Sequence, residues 1–330
     1  MNIHSERFKK VYNSEIAKIE KRLDKLLKGK EPQSLYEPCS YILRGGGKRL
    51  RPFLVLISAK IVGGNFKDVY NAALAVELIH NFTLAHDDIM DNSDIRRGRL
   101  TLHRKYDINT AILTGDSLIA LAYENLLKDC NDNSKKVVAA FTRGIIEVCE
   151  GQSLDKDFET RNNISIADYK KMIYKKTAAL LKMCCSVGAQ LGGASNERLR
   201  ALSNYGKFLG IAFQIQDDLL DIMAEEREFG KTIGNDLIEG KKTYLFLRAL
   251  EKAKKEDKVD LLRVIAKKGI SRNKIKKYKN LYIKLDVLND AEREIVKYTK
   301  LARKSLSSLP KGEEKKIMYW LANVLITRSK

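Results

Sequence analysis

Asp87-Asp88-Ile89-Met90-Asp91 and Asp217-Asp218-Leu219-Leu220-Asp221 repeat one acidic spacing, and each closes an apolar stretch with a helical rhythm. Residues four apart on a helix lie about 40° apart around its axis, so Asp87 and Asp91 share one face, as do Asp217 and Asp221. Carboxylates so paired repel each other, and they sit badly at the negative end of a helix unless a cation joins them. Hard oxygen donors with room for water suit Mg²⁺, which takes few protein carboxylates and completes its shell with substrate phosphates. A solvated acidic face would account for one such cluster. Two matched clusters behind apolar runs point instead to a metal-bound anion, and make Asp87, Asp88, Asp91, Asp217, Asp218 and Asp221 the candidate metal ligands.

Basic and polar residues surround both clusters. His80 lies seven residues before Asp87, two helical turns back on nearly the same face. Arg96-Arg97-Gly98 follows the first cluster, and arginines fork onto phosphate oxygens. Upstream, Gly45-Gly46-Gly47-Lys48-Arg49-Leu50-Arg51-Pro52 reads as a glycine loop before a helix begun by Pro52, leaving backbone N–H groups and basic side chains to meet an anion. It is not a P-loop, because the Gly-Lys-Ser/Thr spacing is absent. Gln214 stands one turn before Asp217, where an amide carbonyl can face a developing positive charge. Lys176-Thr177 opens a small, apolar run, and Lys231, Asp236, Lys241 and Lys242 occupy a glycine-punctuated stretch able to move.

Helices must position these groups. Residues 71–91 carry apolar side chains at helical rather than alternating spacing, and Ile16, Ile19, Leu23 and Leu26 repeat the same pattern near the start. No proline occurs between Pro52 and Pro310, and no sustained strand-like alternation is present. An all-α fold follows. Length would allow two domains, yet no linker, repeat or low-complexity boundary divides residues 1–330, so one helical domain is expected.

The motifs GGGKRLRP, ELIHNFTLAHDDIMD with RRG, GQSLD, KKTAALL, FQIQDDLLD and KTIGNDLIEGKKT resemble, in order and spacing, those of the trans-isoprenyl diphosphate synthases, short-chain archaeal type. The resemblance implies a single-domain helical barrel around a deep central apolar cavity, a homodimer, and acidic motifs facing each other across the cavity mouth. It implies three Mg²⁺ ions on an allylic diphosphate held by Asp87, Asp91 and Asp217, with Asp88, Asp218 and Asp221 supporting. Arg96, Lys176, Lys231 and Lys241 would add charge to that diphosphate, and Thr177 and Gln214 would stabilise the allylic cation. Lys48, Arg51, His80 and Arg97 would hold isopentenyl diphosphate without metal. A lid from about Gly230 to Gly240 would close before ionisation. Phe82, with Thr83 beside it, would floor the product cavity and set a twenty-carbon limit, farnesyl diphosphate being the intermediate or co-product. The chain departs from the pattern at Asp107, where relatives often have glycine, and in a heavier basic tail.

The formal charge is +20, and residues 251–330 hold 23 Lys and Arg against 10 Asp and Glu. A nucleic-acid partner is not expected, because the basic run from Lys267 to Lys279 has only Tyr278 interleaved and no recognised binding motif. The excess suits attraction of diphosphates, or peripheral association with an acidic membrane surface. Five cysteines without a C-x-x-C pair, and a polar start MNIHSERFKK, fit a cytoplasmic protein with reduced thiols. Two rival readings remain. A terpene cyclase would replace the second aspartate motif and need no second diphosphate pocket, and a non-catalytic partner subunit would have lost one of the motifs.

Overall fold

The computed structural model describes residues 3–223 and 234–326. Among them the chain is helical throughout, apart from one two-residue hairpin. None of these helices is long and apolar enough to cross a membrane. The described residues gather into two compact units, 3–142, 183–202 and 308–320 in the first, the other described residues in the second.

In the first unit, α1 (Ile3–Leu26) buries Ile19 and Leu23 on the stripe its spacing demands, with Leu27 just beyond its end. Next come α2 (Gln33–Leu43) and α3 (Leu50–Ile61). Pro38 sits inside α2, and Pro52 is the third residue of α3 rather than its first. The start falls earlier because Arg49, in a left-handed conformation, turns the chain into the helix. The central element is α4 (Tyr70–Met90), apolar on almost every side and packed against α3 and α6 (Ile108–Lys128). A helix buried all round must be apolar all round, so α4 shows no clean polar face. Asp107, the departure noted above, is the N-cap of α6 and accepts from Thr110 N at 2.8 Å, which ties down a backbone donor at the helix start. Close approach elsewhere requires glycine: a Cβ on Gly188 would lie 2.2 Å from the Val55 carbonyl oxygen.

In the second unit a core of Tyr169, Ile215, Phe246, Leu261, Tyr282 and Val287 joins α8 (Ile166–Ile173), the end of α10 (Asn196–Met223) and the helices Tyr244–Lys252, Lys255–Ala266, Ile275–Lys284 and Val287–Ser305. Each such side chain contributes about 1.5–3 kcal/mol by leaving water. Between α8 and α9 (Ala179–Leu191) the helix widens into a π-turn, Tyr174–Ala178, which carries Lys176 and Thr177. All five cysteines are free thiols.

Candidate active site

In the first unit the end of α4 sorts its aspartates by face. Asp88 turns inward, 3% exposed, and accepts from Arg96 Nε at 2.7 Å. Burial raises its carboxyl pKa, against the pull of Arg96. Asp87 is half-buried and Asp91 exposed, on the face that spacing assigns them. Asp88 therefore serves as the anchor of Arg96, and the outward pair is Asp87 and Asp91. The chain then turns through a hairpin in which Ile95 pairs with Leu100 and Arg96 with Arg99. Arg97 and Gly98, at φ 53° and 73°, make the two-residue turn whose twist suits such a hairpin.

Arg97 reaches back to the glycine loop, where its Nη1 donates to the Gly46 carbonyl. A Cβ on Gly47 would lie 2.9 Å from that same nitrogen. The loop thus offers Arg97 a carbonyl and a space without a side chain, and its glycines do more than free N–H groups. Next to it, Arg51 Nη1 lies 3.2 Å from His80 Nε2. Guanidinium can only donate, so Nε2 must accept and the proton must sit on Nδ1. Burial first, then the charges of Arg51, Arg97, Arg96 and Arg49, hold the His80 pKa well below its usual value, so the ring is neutral. Its Nδ1 is buried without a hydrogen-bond partner among the described residues. A buried donor beside the guanidinium groups of Arg51 and Arg97 suits an anionic oxygen. Lys48, exposed, follows Gly47 directly.

Phe82 is buried, its ring edge-on to His86 at 4.9 Å, and His86 Nε2 lies 3.3 Å from the Ile112 carbonyl on α6. Thr83, half-buried, donates its hydroxyl to the His80 carbonyl at 2.8 Å. Thr83 shares the face of Asp87, whereas Phe82 stands about 140° round the helix, toward α6.

In the second unit Asp218 is the hub. Buried, it accepts from Tyr169 Oη at 2.5 Å, Gln214 Nε2 at 3.0 Å and the Tyr244 backbone N–H at 3.2 Å. Burial pushes its pKa to about 6, against these bonds. With its Nε2 side held by Asp218, the Gln214 amide is oriented, and its Oε1 accepts from the Thr177 hydroxyl at 2.8 Å. Both oxygens keep lone pairs for a cation. Lys176 Nζ is ion-paired to Asp155. Asp217 and Asp221 are half-buried, and Asp221 Oδ2 accepts from Asp236 N at 3.2 Å at the start of a one-turn helix, Asn235–Ile238. Burial, then the charges of Asp221 and Asp218, drive the Asp236 pKa well up. Lys241 pairs with Glu239 at 2.7 Å. Lys231 and the first part of the expected lid lie outside the described residues.

Sequence reasoning missed Tyr169, the Tyr244 N–H and the burial of Asp236 beside Asp221 in this unit. Asp155 lay within GQSLD, and its distance from Lys176 in the chain hid the pair. The π-turn depends on Gly151: a Cβ there would fall 2.1 Å from Lys176 N. Gly151→Ala is expected to displace that turn, lowering stability by about 1–3 kcal/mol and turnover with it. Thermal melting and steady-state assays on the purified variant check this, and unchanged values for both would refute the dependence.

The donor set fits magnesium. Among the described residues no three His, Cys, Asp or Glu side chains converge into a ready-made cage. Asp221 and the buried Asp236 oppose each other's charge, which suits a cation that shares its shell with water and phosphate.

The family model for polyprenyl synthetase matches residues 32–282. Over 241 residues the chain is 46% identical to a geranylgeranyl diphosphate synthase of Methanosarcina mazei, covering 72% of this chain and 74% of that one. The crystal structure of geranylgeranyl pyrophosphate synthetase from Pyrococcus horikoshii superposes with a TM-score of 0.92 at 34% identity, over 98% of this chain and 99% of that one. A decaprenyl diphosphate synthase from Rhodobacter capsulatus gives 0.90 at 30% identity, over 99% of each. The chain belongs to the polyprenyl synthetase family and is a prenyltransferase with that family's all-α fold. The family is generally magnesium-dependent.

Proposed function

We propose that this prenyltransferase condenses isopentenyl diphosphate with dimethylallyl, geranyl and farnesyl diphosphates to give farnesyl and geranylgeranyl diphosphate. The observation that carries the reading is neutral His80, on the helix that ends in the first aspartate cluster, its Nδ1–H without a partner among the described residues and Arg51 and Arg97 close to its ring. A cyclase has no use for that second anion pocket, and a silent subunit has no use for two intact clusters.

Asp87, Asp91, Asp217 and Asp221 would hold the magnesium ions, three by family resemblance, with Asp88 and Asp218 orienting their neighbours. When bound, the metal neutralises the leaving diphosphate and lowers the barrier to C–O heterolysis. Arg96, Lys176, Lys231 and Lys241 add positive charge to the same group. Thr177 and Gln214 turn lone pairs toward the allylic cation. Lys48, Arg51, His80 and Arg97 pin isopentenyl diphosphate with its double bond in reach, which replaces a bimolecular encounter. The departed diphosphate takes the final proton. The proposal includes action as one catalytic domain around an apolar cavity, a homodimeric state, a cytoplasmic location and a lid from about Gly230 to Gly240 that excludes water.

Incubation with isopentenyl diphosphate, each short allylic diphosphate and Mg²⁺, followed by chromatography of the dephosphorylated products, tests the reading. Linear C15 and C20 alcohols are expected; cyclic hydrocarbons or no elongation would refute it. Lys48→Ala or Arg51→Ala should raise KM for isopentenyl diphosphate about 10- to 100-fold, the cost of one charge-assisted hydrogen bond, and KM for the allylic substrate far less. Equal rises for both substrates would show the pocket misassigned.

A further inference from the structure

We propose that Arg49 is the positioning residue of the isopentenyl diphosphate pocket, a buried clamp that fixes Lys48 and Arg51 without touching substrate. The inference rests on the pocket assignment above. The Arg49 side chain is 0% exposed, whereas Lys48 before it is exposed and Arg51 after it meets His80. Four of its five N–H donors are committed. Nε and Nη2 fork onto Glu20 of α1 at 2.7 and 3.3 Å, Nη1 donates to Glu77 of α4 at 2.5 Å, and Nη2 also donates to the Leu43 carbonyl at the end of α2 at 2.7 Å. One guanidinium therefore ties three helices to the loop between Gly45 and α3.

The backbone supports the same role. Arg49 adopts φ 45°, ψ 36°, the left-handed region that a side chain other than glycine occupies only when its surroundings hold it there. The Tyr12 hydroxyl donates to the Lys48 carbonyl, and the Arg49 carbonyl accepts from Phe53 N at 3.3 Å as α3 begins. With residue 49 fixed inward, its neighbours at 48 and 51 are directed by the turn. Glu77 is 3% exposed and also accepts from Asn81 Nδ2 at 3.3 Å, so the inner arm of the clamp is itself held. Arg49 is neutralised by carboxylates on two sides, which removes it as a source of attraction for a diphosphate.

The two roles predict opposite signs. If Arg49 acted as a charge on the substrate, Glu77→Gln would unmask it and lower KM for isopentenyl diphosphate. A clamp predicts that Glu77→Gln raises that KM. Arg49→Lys keeps the charge but loses the fork, and is expected to raise it about tenfold, more than it raises the allylic KM or lowers kcat. Glu20→Gln, at a side chain 39% exposed, is the variant that keeps its fold, and should raise it about threefold. Lys48→Ala is assayed in parallel. If Lys48→Ala raises this KM while Arg49→Lys and Glu20→Gln leave it unchanged, or Glu77→Gln lowers it, the clamp is overturned and the pocket stands. If Lys48→Ala leaves it unchanged, the pocket assignment falls and the clamp with it.

Discussion

Asp87→Ala is expected to lower kcat at least about 10³-fold, and Asp217→Ala likewise, because on the proposed reading each removes a ligand to a metal worth several kcal/mol in transition-state charge. The helical circular dichroism and the melting temperature should stay near those of the parent. Both residues are half-buried, so truncation opens no void in a packed core. Asp88→Ala supplies the contrast. That residue is buried against Arg96, and its loss leaves a guanidinium without its carboxylate, at a cost of about 1–2 kcal/mol in stability besides the loss of turnover. Stopped-flow or single-turnover assays at saturating Mg²⁺, read beside thermal melts, separate the two classes. Near-parental turnover of Asp87→Ala would remove that aspartate from the metal site.

Phe82→Ala is expected to move the product distribution beyond twenty carbons. On the proposed reading the growing chain would push its tail along α4 away from Asp87, and five residues place Phe82 roughly 7.5 Å deeper along the axis. The likeness in fold to both a geranylgeranyl and a decaprenyl synthase means that the fold alone sets no length, and a local side chain must. Thr83 lies on the Asp87 face and is small enough to pass a chain, while the Phe82 ring stands toward α6 against His86. Truncating a buried phenylalanine also costs about 3–5 kcal/mol in stability, so a lower melting temperature decides nothing. Product length decides: chromatography of dephosphorylated products should show chains longer than C20. An unchanged distribution would leave Phe82 as core packing and place the limit elsewhere.

Much of this was legible in the chain itself, for a local reason. Helix phase is a property of spacing, so the pairing of Asp87 with Asp91 and of Asp217 with Asp221, the helical character of residues 70–90 and the absence of prolines through the middle needed no coordinates. Charge type was equally plain: arginines beside aspartates in a glycine-punctuated chain are what the proposed metal-bound diphosphate calls for. Hydrogen-bond partners were not legible, because they join residues far apart in the chain. Asp88 and Asp91 are alike in sequence, yet one is buried on Arg96 and the other exposed, since the hairpin turn at Arg97-Gly98 folds Arg96 back on α4. Asp218 became a hub only when Tyr169 and the Tyr244 N–H, from separate segments, met it. The π-turn under Lys176 and Thr177 arises where Gly151 lets another backbone approach, a pressure no local propensity records. Arg49 reads as one more basic residue between Lys48 and Arg51. Only tertiary structure turned it inward, because the carboxylates of Glu20 and Glu77 come from helices on either side of it in the chain.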